Sequence, residues 1–409
     1  MKYSLIPLSI LLVSCASTVK LKEIQPLDEG YQYAAIEEED KLFKRSERLY
    51  KDFKNKGLIL KDKSSQQFVD DLASQISPPT YHPNVKIRFH ILKDASTNAF
   101  ALPNGDIYLN TGLIASFDNS DQLAAVMAHE VAHVIQRHSL KGAVQRKNKI
   151  VGSHIADLML FGTGLVYYAT IADISKFSRN MEHQADVDGL AYLKDGGFDL
   201  RGGVQAFEKI KELDFAKEST SIWSTHPDID KRIAFYNNSI ANEYGDFPPE
   251  SDVDQPYLQF RKPILLQTIK IRLRNKQFEL AERLVNSELE LGPNNGQLHY
   301  YAGEINRLKA SEPEAYAREY AWIHDETFDD ELTASLADQQ EQFFQKAKQG
   351  YLKAQSVAPD MNDVNKGLGM VAYHQGETQT AIDFFTRYLQ QDKVKDRRYV
   401  ESILAKLRG

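Results

Sequence analysis

The stretch His129-Glu130-Val131-Ala132-His133 places two histidines four positions apart, with a glutamate directly after the first. Positions i and i+4 of an α-helix differ by about 40° around its axis, so both imidazoles point to one side. Two such imidazoles can bind one zinc ion at about 2.0–2.1 Å, and the glutamate can then accept a proton from water held by the ion. The apolar neighbours predict a buried helix, where polar groups without partners are costly; they are Leu123, Val126, Val131, Val134 and Ile135.

A catalytic zinc site needs a third protein ligand and one open position. His138 lies five residues beyond the second histidine, about 140° around a continuous helix, so it is not expected to be a ligand. Glu182 and Asp186 are four residues apart on a later predicted helix and share a face. Glu182 is the predicted third ligand, and Asp186 is predicted to accept a hydrogen bond from a ligand imidazole and fix its tautomer. The alternatives are His183 as the ligand, or a solvated acidic helix face.

The segments around these motifs predict a small α+β domain. Apolar residues at helical spacing predict four helices, at about 36–53, 66–76, 119–138 and 176–193. Strict alternation from Val85 to Ile91 predicts a strand, and residues 98–110 predict a hairpin with a turn at 103–106. The interrupted apolar stretch Ile150–Ala172 is too polar for a membrane span, and a lid, a bilayer contact and a core hairpin all stay open.

The composition excludes several classes of protein. Apolar residues make up 42% and charged residues 26% of the 409 residues, which excludes wholesale disorder and suits two or three domains. The 50 lysines and arginines against 57 acidic residues give a net charge of −7, which argues against a nucleic-acid surface. The single cysteine excludes intramolecular disulfides, so core burial must stabilise the fold.

The first fifteen residues predict a secretory signal. Met1-Lys2 is followed by a short apolar run that ends in Leu12-Val13-Ser14-Cys15, which resembles the bacterial lipobox. The resemblance implies that residues 1–14 are removed and that Cys15 is lipidated. Residues 15–35 show little periodicity and are predicted to form a tether. Ala16 after the cysteine resembles the signal for sorting to the outer membrane, on the side that faces the periplasm. An ordinary cleaved signal with an incidental cysteine is the alternative.

The C-terminal part is predicted to be a helical repeat region. A cluster of prolines and acidic residues at 246–258 predicts a linker before it. Small residues then recur 34 positions apart, Ala281 with Ala315 and Ala347 with Ala381, although the middle step is 32. This pattern over residues 259–409 resembles the tetratricopeptide repeat, whose stacked helical hairpins form a concave binding surface. An irregular helical bundle is the alternative.

Several ordered motifs together resemble the HtpX and CAAX-prenyl-protease family of zinc metallopeptidases. They are the first motif with Arg137-His138 after it, Arg179-x-x-Glu182-x-x-x-Asp186, Asn98–Pro103, Thr111–Leu113, and Thr225–Pro227 with Arg232-Ile233. The resemblance covers about residues 36–245 and implies a zincin-type α+β metalloprotease domain, followed here by the all-α, tetratricopeptide-like solenoid. It implies one zinc ion per chain, with His129, His133 and Glu182 as ligands and Glu130 as the base.

The function expected from this reading is zinc-dependent endoproteolysis in the bacterial envelope. The hairpin strand with Asn98, Ala99, Phe100 and Ala101 is expected to pair with an extended substrate, which favours unfolded or misassembled chains. His226 is a candidate for stabilising the oxyanion or for occupying the open zinc position in a latent form, and a simple helix-start role is the alternative. The resemblance also suggests the outer-membrane barrel assembly machinery as a partner of the repeat region.

Two other functions compete with this expectation. The first is a repeat-based adaptor or chaperone with a vestigial protease site, against which the intact set of ligands and base argues. The second is a zinc hydrolase that acts on peptidoglycan peptides.

Overall fold

The computed structural model describes residues 24–150, 177–214, 226, 228–244, 253–391, 394 and 396–409. The signal segment, Cys15 and nearly all of the Ile150–Ala172 stretch lie outside these ranges, so their predictions stay predictions. Within the ranges, no helix is both long enough and apolar enough to cross a membrane.

A three-stranded sheet forms one layer of the N-terminal region. Its strands are β1 (Arg88–Leu92), β2 (Ala99–Ala101) and β3 (Asp106–Asn110), in the order β1-β3-β2. β1 runs parallel to β3, and β2 and β3 form the predicted antiparallel hairpin. The first strand begins three residues later than expected, because Val85 lies in a turn where Thr80 Oγ1 donates to its carbonyl at 3.0 Å. Gly105 in the hairpin turn has φ +89°, and a Cβ there would collide with the Lys86 backbone.

Helices cover the sheet and form most of the N-terminal region. They are α1 (Glu37–Asn55), α2 (Lys63–Ile76), α3 (Thr111–Ser116), α4 (Ser120–Ile135), α5 (His138–Ile150), α6 (Arg179–Asp195), α7 (Arg201–Asp214) and α8 (Ile229–Ser239), which continues as a π-helical turn at Ile240–Tyr244. α4 is buried from Gln122 to Ile135 and packs against α2, α6, α7 and β2. The Asn119 side chain caps it by accepting from Gln122 N.

The predicted helix at 119–138 is two helices. α4 ends at Ile135, and Arg137 has a left-handed φ of +53°, so the chain turns before α5 begins at His138. Arg137 is buried and forms a two-bond ion pair with Glu39 of α1, at 2.9 and 2.7 Å. This ion pair compensates for the cost of the left-handed turn. Helical periodicity in the sequence showed no sign of the turn.

The predicted tether at 15–35 is packed against the fold at Ile24 and Leu27. Leu27 is fully buried, and its N–H donates to the carbonyl of Ile135 at 2.8 Å, at the end of α4. Ile24 is buried with Leu42, Leu140 and Val144 of α1 and α5. The tether prediction is therefore wrong for residues 24–27, because two isolated apolar residues give no periodic signal yet find a hydrophobic groove.

Helix α9 (Gln255–Arg274) connects the two regions of the chain. Tyr257, Phe260 and Ile264 belong to the N-terminal hydrophobic core, whereas Leu265 and Ile269 belong to the C-terminal one. The linker predicted at 246–258 is therefore too long, since residues 255–258 begin this helix. The Pro256 that suggested a break lies in the first helical turn, where proline is well tolerated.

The C-terminal region is helical throughout its described residues. Its helices are α10 (Phe278–Leu291), α11 (Gly296–Ser311), α12 (Pro313–His324), α13 (Asp330–Ala337), α14 (Gln340–Val357), α15 (Asp363–His374), α16 (Thr378–Leu389) and α17 (Arg397–Arg408). The four alanines of the 34-residue pattern lie on α10, α12, α14 and α16, and all but Ala315 are fully buried. Between the middle two lies α13, which has only 8 residues. This all-helical architecture is consistent with a solenoid of the expected type.

Candidate metal centre

Four buried side chains converge on one site in the N-terminal region. His129 and His133 project from α4, Glu182 from α6, and His226 from the segment before α8, and one ligand atom of each lies within 4.8 Å of all the others. The Nε2 atoms of His129 and His133 are 2.9 Å apart, and Glu182 Oε1 lies 3.6 Å from His133 Nε2. His226 Nδ1 lies 3.3 Å from His129 Nε2 and 3.0 Å from Glu182 Oε2. The structure thus brings the predicted ligands together and adds His226 to them.

Close packing of α4 against α6 sets the distance between these ligands. Gly189 of α6 faces the backbone of His129, and a Cβ at that position would lie 3.2 Å from His129 Cα and N. The Ser178 side chain caps α6 by accepting from Met181 N, so Glu182 lies in the first turn. A small residue and a cap therefore place the glutamate opposite the two histidines.

Glu130 has a fully buried carboxylate beside this group. Neither of its oxygens has a hydrogen-bond partner among the described residues, and the same holds for His226 Nε2. The two groups face each other, with 3.4 Å between His226 Nε2 and Glu130 Oε1. Buried polar atoms are almost always paired, so these point to a ligand, ion or water in the site.

Asp186 lies next to His129, behind the candidate ligand group. Its Oδ1 is 3.0 Å from His129 Nδ1, the nitrogen that faces away from Glu182. Arg232 of α8 donates to the same carboxylate at 2.7 Å, and its other terminal nitrogen lies 3.4 Å from Glu182 Oε2. The sequence analysis did not assign Arg232 to the site, although Arg232 lies in one of the motifs that carry the resemblance. Arg232 and Asp186 are 46 residues apart in sequence, so local patterns gave no sign of their contact.

His138 is not part of the ligand group, but the reason given from the sequence is incorrect. The helix does not continue, and the turn at Arg137 folds His138 back until its Nδ1 is 2.8 Å from His133 Nδ1. His183, the rival ligand, is exposed and packs edge-on against Phe235. The sequence reading also missed Phe177, whose ring stacks on that of His133 at 3.9 Å.

Burial and charge determine the ionisation of the site. Burial opposes the charge on Glu182, but the imidazoles of His226, His133 and His129 outweigh it and hold its pKa well below the usual range. Burial likewise disfavours the charge on Asp186, and Arg232 with His129 reverses this and lowers its pKa. Burial lowers the pKa of His133 far below its normal value, and it lowers that of His138 to about 4. The lowered pKa of Glu182 favours its anionic form and the lowered pKa of His133 favours its neutral form, which are the forms that bind metal.

These residues fit a divalent metal ion. Two imidazole nitrogens, a carboxylate and a further imidazole nitrogen form a donor set typical of zinc, and these atoms lie within 4.8 Å of one another. His129 and His133 also each have a polar partner at the ring nitrogen that faces away from the group, which is the usual support for a metal ligand.

The predicted substrate strand β2 lies at an edge of the sheet. Backbone bonds join Asn98 to Asn110 at 3.0 Å and Leu102 to Asp106 at 2.8 Å. In an antiparallel pair the bonded positions alternate, so the N–H and C=O groups of Ala99 and Ala101 point away from β3. Their side chains are buried, which leaves the backbone as the group that this edge can offer.

A helix with this histidine and glutamate pattern, a glutamate from the next helix of the site and a small sheet alongside define a metallopeptidase. Residues 60–239 match the sequence profile of Peptidase family M48, which agrees with this class. M48 metallopeptidases are zinc-dependent, in agreement with the donor set.

Curated relatives include proteins of two names. The beta-barrel assembly-enhancing proteases of Escherichia coli and Yersinia pestis are 26% and 24% identical over 211 and 216 residues. These alignments cover 48% and 50% of this chain and 43% and 44% of the relatives. The mitochondrial metalloendopeptidase OMA1 of Schizosaccharomyces pombe is 31% identical over 153 residues, which are 37% of this chain and 45% of its own. The chain thus spans less than half the length of each of these relatives.

Proposed function

We propose that the protein is a zinc-dependent endopeptidase that cleaves unfolded or misassembled polypeptides of the bacterial envelope. The observation that carries the proposal is the buried Glu130 carboxylate without a partner, next to the converging group of His129, His133, Glu182 and His226. The names of the relatives support the class of substrate, since one group is named for β-barrel assembly.

The proposed roles follow from the geometry. His129, His133 and Glu182 would hold one zinc ion, and zinc bound there would polarise a scissile carbonyl and make a bound water more acidic. Glu130 accepts a proton from the attacking water and returns it to the leaving amine. Asp186, itself held by Arg232, keeps His129 in the tautomer that presents Nε2 to the ligand group.

His226 is proposed as a fourth ligand that closes the site in a latent form. Its Nδ1 atom lies 3.0 Å from Glu182 and 3.3 Å from His129, which favours this role over that of an oxyanion donor. Under this proposal His226→Ala increases peptidase activity, whereas under the oxyanion role it lowers activity. Initial rates on a short unstructured peptide separate the two.

Substrate binding is proposed at the outer edge of β2, which pairs with no further strand of the described residues. The outward backbone groups of Ala99 and Ala101 can add an extended segment as a further strand. Only chains with a free backbone can bind in this way, so a folded protein is a poor substrate.

The test of the proposed function is Glu130→Gln, which keeps the shape of the side chain and removes the base. Zinc content should equal that of the wild type, and cleavage of unfolded casein should fall by about 10²–10⁴-fold. A chelator should abolish the wild-type activity, and Glu290→Gln, on the exposed surface of α10, is the matched control.

Casein cleavage also separates the competing functions. An adaptor or chaperone without catalysis binds casein but leaves it intact in the presence of zinc. A peptidoglycan hydrolase cleaves muropeptides and not casein. A Glu130→Gln variant that cleaves casein at the wild-type rate would contradict the proposed mechanism.

Partner binding is proposed for the C-terminal helical region and lipid anchoring for Cys15. The repeat-like helices would bind a component of the outer-membrane barrel assembly machinery, with the chain attached to the outer membrane and facing the periplasm. Several acyl chains on one cysteine would give firm attachment. A pull-down from envelope extract tests the first proposal.

The substitution Cys15→Ala tests the proposed lipid anchoring. The variant should move from the membrane fraction to the soluble envelope fraction, because the described residues offer no helix able to cross a membrane. Fractionation followed by a salt wash measures this. Retention of the variant in outer membranes would contradict anchoring through Cys15.

A further inference from the structure

His138 forms a buried contact with His133, a proposed metal ligand. None of the catalytic roles proposed above explains this contact. The left-handed turn at Arg137 places it as the first residue of α5, and the ring is fully buried. Its Nδ1 lies 2.8 Å from His133 Nδ1. Contacts with α1 and with the N-terminal segment hold the turn, because Arg137 pairs with Glu39 and also donates to the carbonyl of Gln25 at 3.2 Å.

The direction of this hydrogen bond follows from the position of His133. Its Nε2 atom faces the ligand group, 2.9 Å from His129 Nε2. A neutral imidazole that uses Nε2 as a metal ligand keeps its proton on Nδ1. That N–H is directed at His138 Nδ1, which must therefore accept, so the proton of His138 is on Nε2.

The proton on His138 Nε2 has its own acceptor on α6. Gln184 Oε1 lies 3.2 Å from His138 Nε2, and Gln184 Nε2 donates to Gln136 Oε1 at 2.9 Å. Gln136 Nε2 in turn donates to Asp188 Oδ2 at 2.7 Å. In this series of hydrogen bonds, His138, Gln184 and Gln136 each accept one bond and donate the next. The series ends on the Asp188 carboxylate, which can only accept.

We propose that His138 is a positioning residue that holds His133 in the Nδ1–H tautomer, with Nε2 directed at the metal. The proposal rests on the ligand role of His133 in the proposed function. Gln184, Gln136 and Asp188 fix the tautomer of His138, and the contact also ties the end of α4 to α6, the helix that carries Glu182.

The two ligand histidines are thus supported in different ways. His129 has the Asp186 carboxylate at 3.0 Å, whose charge Arg232 balances. His133 has a neutral imidazole, so its support adds no second buried charge next to the site. A neutral relay avoids the desolvation cost that an unpaired carboxylate would carry.

The test compares two substitutions of His138 in the full chain. His138→Asn keeps an acceptor near the position of Nδ1, whereas His138→Leu fills a similar volume without one. Zinc affinity from competition with a chelator should fall by about 10–100-fold for His138→Leu. For His138→Asn it should fall by less than about 3-fold, since an amide oxygen accepts the same hydrogen bond. His183→Ala, one residue from Gln184 and exposed, is the control and should leave the affinity unchanged.

A spectroscopic measurement makes the test independent of the fold of the variants. Nitrogen-15 NMR of zinc-loaded wild type with labelled histidine should show His133 protonated at Nδ1 and His138 protonated at Nε2. The opposite tautomer of His138 would overturn the proposal, as would equal zinc affinity for folded His138→Leu and wild type. Equal weakening in His138→Asn and His138→Leu would also overturn it. Failure of the ligand assignment looks different, because His133→Ala would then leave zinc binding intact.

Discussion

Glu130 and Glu182 are buried glutamates beside the same histidines, and their surroundings give them different chemistry. Glu182 is flanked by three imidazoles and Arg232, which hold it as an anion suited to bind metal. The carboxylate of Glu130 has no hydrogen-bond partner among the described residues. A carboxylate kept free of partners can exchange a proton with substrate or water, which is the property required of a general base.

His82 is a buried histidine outside the metal centre. Its ring packs against Tyr31, Tyr33 and Phe43, and its Nδ1 accepts from Asn84 N at 3.1 Å. Burial lowers its pKa, and Glu39, whose carboxylate lies 3.5 Å from Nε2, offsets this only in part. The folded protein therefore keeps His82 neutral at a pH where the unfolded chain protonates it.

This histidine predicts a pH dependence of stability. Between its lowered folded pKa and the ordinary value of about 6.5, only the unfolded chain takes up the proton, so stability falls as the pH decreases. In His82→Gln this fall should be smaller, by at most about 1.4 kcal/mol per pH unit. Urea unfolding of both proteins at about pH 7.5 and about pH 5.5 measures it, and other histidines cancel in the comparison. Identical pH dependence in the two proteins would show that His82 titrates normally in the folded state.

At the scale of elements, the contact between α4 and α6 decides whether the site forms. Gly189 lets the two helices approach until the backbone of His129 touches it. Because His129 and Glu182 lie on these two helices, an increase in the spacing of the helices separates these proposed ligands.

Gly189→Ala should therefore weaken zinc binding as well as stability. The added methyl group at 3.2 Å from the His129 backbone forces the helices apart, and overpacking of this kind costs about 1–3 kcal/mol. Gly142→Ala is the matched control, since a Cβ there meets only the end of the Arg146 side chain, at 3.3 Å. The control should gain up to about 1 kcal/mol from the higher helix propensity of alanine. Thermal unfolding and chelator competition on both variants measure the effects, and unchanged zinc affinity in Gly189→Ala would argue that α6 can adjust.

At the scale of the whole molecule, α9 joins the peptidase domain to the helical region. Tyr257 donates to the carbonyl of Ile114 at 2.9 Å, and Phe260 stacks on Phe68 at 4.2 Å. Arg261 donates to Ala115 O and pairs with Glu288 of α10, so one side chain contacts both regions. The last part of the peptidase core is thus supplied by a helix beyond the end of the family match at residue 239.

Two truncations test this sharing. A chain that ends after Pro256 loses Tyr257, Phe260 and Ile264 from the N-terminal core, and each lost large apolar side chain costs about 2–5 kcal/mol. We expect that form to be unfolded and free of zinc, whereas a chain that ends after Arg274 keeps all of α9 and binds zinc. Circular dichroism and metal analysis distinguish them. A folded form with zinc that ends after Pro256 would show that α9 belongs to the helical region alone.

The sequence by itself determined the features that depend on local spacing. The four-residue spacing at His129 and the same spacing at Glu182 and Asp186 predicted which side chains share a helix face, and the fold keeps these faces. The hairpin at 98–110 followed equally from local alternation and a glycine turn. Such signals survive because helix and strand periodicity is set by the backbone within a few residues.

Tertiary structure alone decided the contacts between residues that are far apart in sequence. The break at Arg137 depends on Glu39, 98 residues away, and it converts His138 from a residue on the far side of a helix into a neighbour of His133. Arg232 reaches Asp186 across 46 residues, and α9 completes a core begun more than 100 residues earlier. These outcomes depend on which surfaces and charges meet once the chain is compact, and no local pattern encodes that pairing.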